Sequence, residues 1–223
     1  MRWDWIPLSA SALVVGVMAL AFGALLNPVP ADGDSAQTVA TVAMAGGRWL
    51  GMAVMYFLAS VTLTLGLPAV LSLFHVRARA LGVIAVSVLS IGFIGTSGYA
   101  MLLVFFRALV REQAIRAGTL DTVTEDVGLG IFLFGWLAAF YAGLTLLALA
   151  LFVARRTPVW VPLLVLLFVA LFPVIDKLGR VGQVAQVVAL AFAFTGIAMA
   201  AVHDASGRAR AVEVARSGSA PVF

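Results

Sequence analysis

Six stretches of this chain, residues 6–26, 49–74, 80–106, 127–154, 157–175 and 181–202, contain no Asp, Glu, Lys, Arg or His. A helix that crosses a bilayer needs about 20 mostly apolar residues, and each stretch reaches or approaches that length. Backbone polar groups find no partner in hydrocarbon, so such segments cross as helices that satisfy their own hydrogen bonds. The expected fold is all-α: an integral membrane bundle of six transmembrane helices within residues 1–203, followed by a disordered cytoplasmic tail over 204–223. Three stretches exceed 25 residues, which calls for tilt or extension beyond the lipid.

Composition agrees. Only 11% of the residues are charged, against roughly 25% in a soluble domain. The chain has no cysteine, which excludes disulfide frameworks, zinc–thiolate and iron–sulfur sites, and cysteine nucleophiles. The basic balance, 14 Lys and Arg against 10 Asp and Glu, reads as loop charge that sets topology rather than as nucleic-acid binding. Ala, Val, Gly and Arg dominate over Lys, a usage that points to a bacterium and its cell (inner) membrane.

The loops alternate in character. "HVRAR" (75–79) and "ARRTP" (154–158) are short and basic without acids, and the tail adds Arg208, Arg210 and Arg216. The other connections mix Arg with acids. Placing the basic loops inside puts both termini in the cytoplasm. A signal-peptide reading of the N-terminus competes, but its apolar run of about 20 residues is longer than the 7–15 of a signal h-region.

The outer loops carry local signals. "DSAQTVATVAM" (34–44) opens with a capping Asp/Ser and puts Val39, Val42 and Met44 on one face, predicting a short interfacial helix. "TVTE" (122–125) fits a capping box leading into the fourth span. "REQAIRAG" (111–118) extends the third span and stops at Gly118. "DKLGR" (176–180) reads as a tight outer turn, with Gly179 at the bend.

Small residues govern close packing where lipid removes the hydrophobic drive between helices. Gly135, Ala139 and Gly143 form one such ridge, and Gly47 with Gly51, the glycines 92, 95 and 98, and Ala189, Ala193, Gly196 and Ala200 form others. Packing within the bundle uses these ridges; homodimerisation through one of them is the alternative.

The chemistry-bearing residues are few. No carboxylate lies within a span, so a midplane proton relay or a buried-acid cyclase lacks its parts. His75 and His203 sit at inner helix ends, where they read as boundary residues rather than haem ligands. Lys177 lies at a span boundary and not in mid-helix, where a Schiff base would need it. No catalytic residue, metal site or cofactor is implied. The candidate binding residues are Arg48, Tyr56, Tyr99, Arg107, Trp136, Asp176, Gln183 and Gln186, which fall in or just beyond the outer halves of the spans. They describe either an outward-facing pocket with a charged mouth or, more simply, an aromatic belt with interfacial charges. The two glutamines fit the belt least well, because an amide in hydrocarbon needs a partner.

The layout resembles the DUF4386 group of uncharacterised bacterial multi-span membrane proteins. The likeness runs from the outer helix "DGDSAQTVATVAM", through the small-residue and Arg entry "AGGRWLGMAVMYFLAS", to a fourth span ending in "ARR" before a Pro-containing fifth. It covers residues 5 to 202 and implies the architecture, with no activity attached. The expected role is binding of an apolar or amphipathic small molecule, or of a partner protein, from the outer side. A transporter or channel subunit is a second class. The third is an enzyme acting on a lipid or isoprenoid, using some of Glu112, Asp121, Glu125, Asp126 and Asp176.

Overall fold

The structure, a computed structural model, describes residues 5–29, 33–74, 78–115 and 117–217, apart from the side chains of 117, 175–178, 180, 181, 209 and 211–217. Its elements are α1 (Trp5–Leu26), α2 (Ser35–Met44), α3 (Gly46–Leu71), α4 (Arg79–Arg111), α5 (Ala117–Thr124), α6 (Val127–Ala154), α7 (Trp160–Leu171) and α8 (Ile175–Ser217). A 3-10 turn, Phe172–Val174, joins α7 to α8, and there is no strand among the described residues. Five helices are long and apolar enough to cross a membrane: α1, α3, α4, α6 and the Gly182–Arg208 part of α8. Their outward faces stay apolar, with Phe57, Ile94, Phe105, Phe134 and Phe192 all more than half exposed. Water would not tolerate such a surface, and lipid would.

Six helices close into a ring in chain order. α1 packs on α3, α3 on α4, α4 on α6, α6 on α7, α7 on α8, and α8 returns to α1. Each neighbour runs antiparallel to the last, as the contacts fix. Gly16 faces Leu63 and Gly66 faces Leu13, so α1 and α3 oppose; Gly92 faces Phe140 and Gly143 faces Leu89, so α4 and α6 do too. At those four glycines a Cβ would come within 2.9 Å of the neighbouring helix's backbone, so only glycine allows the approach. The resulting core runs through Leu13, Leu63, Leu89, Phe93, Leu144, Leu147, Phe194 and Ile197, all nearly inaccessible.

The α1–α3 seam also repairs a helix defect. Pro68 lies inside α3, where it removes a backbone donor and crowds the preceding turn. The Ser9 hydroxyl donates to the Leu65 carbonyl and accepts from the Ala69 amide, each at 2.9 Å. Those are the two groups an unbroken helix would join to each other, so Ser9 serves the ladder that Pro68 disturbs.

Short helices cap one end. α2 begins at Asp34, whose carboxylate accepts from the Gln37 amide at 2.7 Å, and it buries Val42 beneath Trp49, Met52 and Leu103. Met44 points away, 82% exposed. The Ser35 hydroxyl donates to the Asp121 carboxylate and ties α2 to α5.

Several expectations are corrected. α4 ends at Arg111 and Gln113 turns the chain with a φ of 55°, so 111–118 is not a continuous extension. The cap of α6 is Asp126, accepting from the Leu129 amide at 2.8 Å, and not a box at 122–125, because α5 occupies that segment. The 176–180 turn is absorbed into α8: the backbone leaves helical geometry only at Gly179, at φ 55° and ψ −143°. Glycine alone adopts that conformation readily, so the bend falls where expected while helix flanks it on both sides. Past residue 203, where a disordered tail was expected, α8 continues to Ser217. Asp204 anchors this extension by pairing with Arg156 at 3.0 Å and with Arg208, one turn on, at 3.1 Å.

Candidate functional site

At the level where the α7–α8 hairpin turns, the ring does not fill its own centre. A cavity of about 180 Å³ remains there, and every helix of the ring contributes to its wall. Ala21 and Ala24 come from α1, Tyr56 from α3, Thr96 and Tyr99 from α4, Trp136 and Tyr141 from α6, Phe168 from α7, and Gln186 from α8. Among the described residues no charged side chain lines it.

Aromatic rings form two linked walls. Tyr56, Tyr99 and Trp136 run in series with ring centroids 6.0 and 5.6 Å apart. Opposite, Tyr141 stacks on Phe168 at 5.7 Å, and Phe140 meets both edge-on. Gly23 makes room for Tyr56, since a Cβ there would stand 2.7 Å from the phenol ring. Such tilted and edge-on arrangements suit the aromatic quadrupole and present ring faces to whatever occupies the space between them.

The polar groups of the wall divide into engaged and available. Thr96 donates back to the Gly92 carbonyl at 2.9 Å. Gln186, 6% exposed, donates its amide to the Phe168 carbonyl at 3.0 Å. That carbonyl belongs to the last turn of α7, which tightens as the Phe172 amide bonds to Val169 instead, so Gln186 serves a helix end that needs a donor. The buried Nε1 of Trp136 has no hydrogen-bond partner among the described residues. A buried donor without an acceptor is costly.

Of the candidate residues, Tyr56, Tyr99, Trp136 and Gln186 meet at this cavity. Gln183 lies one turn away, half-buried and outside the lining. Arg48 is exposed. Arg107 is spent elsewhere, its Nε donating to the Gly46 carbonyl at 2.8 Å. The side chains of Asp176, Lys177 and Arg180 lie outside the described residues, as does His75. The expected charged mouth is therefore not assembled from Arg48 and Arg107. Sequence reasoning passed over Ala21, Ala24, Phe140 and Phe168, since apolar residues in apolar spans carry no distinguishing signal. Among the described residues no group of three His, Cys, Asp or Glu converges to hold a metal. The bundle and its long apolar helices define a class, a multi-pass helical protein of the membrane. Comparison with family models, curated proteins and solved structures finds no match to this chain.

Proposed function

We propose that this chain is a bacterial inner-membrane protein that crosses six times, with both termini cytoplasmic. Its central cavity binds one small uncharged, ring-bearing molecule that offers a hydrogen-bond acceptor. The observation that carries the reading is an aromatic cavity walled by six helices, uncharged among the described residues, with Trp136 in its wall and no partner for that indole N–H among them. An engineered apolar cavity of about 150 Å³ takes up benzene, so the space at 180 Å³ suits a substituted ring. The described lining residues carry no charge, which favours a neutral ligand, since an ion would meet no compensating group among them.

Parity supports six crossings. Arg156, which follows α6, pairs with Asp204 of α8, and the same end of α8 lies along Pro7 to Val14 of α1. An even number of passes returns the chain to that end. α7 with its 3-10 turn reaches only about 24 Å, whereas α4 reaches about 50 Å. The short hairpin brings Phe168 and Gln186 of the cavity wall close to its turn, and this supports entry from the outer side. The basic 79 and 155–156 segments lie at the opposite end, which supports their cytoplasmic placement. The likeness to the DUF4386 group belongs to this proposal as an architectural expectation.

The test compares organic extracts of the purified parent and of Ala21→Phe, which fills the cavity from α1. The expected result is one uncharged compound, near one per chain, that is depleted in the variant. Identical extracts would contradict the reading.

A further inference from the structure

A second space lies outside the ring, where α8 closes on α1 at the basic end of the bundle. It is an open groove of about 810 Å³. Ala10 and Val14 form one wall, and Ala198 and Val202 the other. From Ala198 to Arg210 the groove follows α8 for about 18 Å. Its polarity is graded: apolar toward the middle of the bundle, with His203 and Arg210 at the end beside the helix termini. The hydroxyls on its rim are already used, Ser11 donating to the Pro7 carbonyl and Ser206 to the Val202 carbonyl.

Among the described side chains the charges at this end are unbalanced. Arg79, Arg155, Arg156, Arg208 and Arg210 gather there, and Asp204 is the one acid among the side chains described at that end. Asp204 already holds Arg156 and Arg208. Arg210 is left facing the groove mouth with no acid of its own among the described residues.

We infer that this groove is a binding site for one anionic phospholipid of the adjoining leaflet. An acyl chain lies between α1 and α8, and the headgroup phosphate meets Arg210 and His203. The graded lining matches the two parts of such a lipid, and the surplus cation supplies charge complementarity that a zwitterionic lipid would use less fully. Arginine suits the role because its planar fork engages phosphate oxygens in pairs.

The experiment is native mass spectrometry of the full chain in detergent, titrated with phosphatidylglycerol or phosphatidylcholine. The inference expects one phosphatidylglycerol retained in preference to phosphatidylcholine. Arg210→Gln should weaken that retention about fivefold, the worth of one basic residue at an anionic lipid surface. A Cβ at Gly207 would meet nothing within 4 Å, so Gly207→Leu has room to enter the groove and should weaken both lipids alike. Equal retention of the two lipids overturns the site, as does parental behaviour of both variants. Displacement of phosphatidylglycerol by inorganic phosphate would show a free-anion site and overturn the lipid assignment.

Discussion

Gln186 donates its side-chain amide to the Phe168 carbonyl across 3.0 Å, joining α8 to the end of α7 in the cavity wall. The contact gives a buried amide the partner it needs and fixes two cavity-lining residues against each other. Gln186→Leu should therefore lower stability in detergent by about 1–3 kcal/mol, the cost of stranding a buried acceptor. Thermal melting of the purified variant measures it, and a parental melting temperature would show that the bond is dispensable.

Close helix approach makes a second, paired test. A Cβ on Gly143 would stand 2.7 Å from the Leu89 backbone, while one on Gly135 meets nothing within 4 Å. Gly143→Leu should destabilise by about 1–3 kcal/mol through overpacking, and Gly135→Leu should melt close to the parent. The reverse order would misplace the α4–α6 seam.

That pair also shows where sequence pattern misleads. Gly135, Ala139 and Gly143 look like one ridge, yet eight residues turn a helix about 80° past two full turns, and of the two glycines only Gly143 faces α4. The α1–α3 seam uses Gly16, Gly23 and Gly66, none of which the ridge reading singled out. Alternation of charge-free stretches was enough to read an all-helical bundle, because hydrocarbon imposes that rule on every span. Sequence reasoning placed the bend at Gly179 but not the helix on either side of it, and it missed the helix beyond Asp204, which Arg156 of another element anchors. Tyr56, Tyr99, Trp136 and Gln186 were visible as misfits in apolar spans; the apolar part of the cavity wall was not.

Ser9 provides the third test. Its hydroxyl meets both the Leu65 carbonyl and the Ala69 amide beside Pro68, so Ser9→Ala should cost about 1–3 kcal/mol. Adding Pro68→Ala should recover part of that loss, because an alanine restores the local donor and removes the ring clash. Melting temperatures of the single and double variants decide it; no recovery would separate Ser9 from the proline defect.

Orientation is accessible because the chain has no cysteine. Gly118→Cys on α5 and Arg79→Cys at the start of α4 place single exposed thiols at opposite ends of the bundle. A membrane-impermeant maleimide should label the first in intact cells and the second only after lysis. Inverted labelling would reverse the proposed topology.

The most direct measurement of the cavity's role is the melting temperature of the purified protein with acetophenone, an uncharged ring bearing one carbonyl, against benzoate, its charged counterpart of similar size. A ligand that binds the folded state alone raises the melting temperature saturably. The account predicts such a rise with acetophenone, none with benzoate, and loss of the rise in Ala21→Phe. An equal rise with benzoate, or an acetophenone effect that survives filling the cavity, would contradict it.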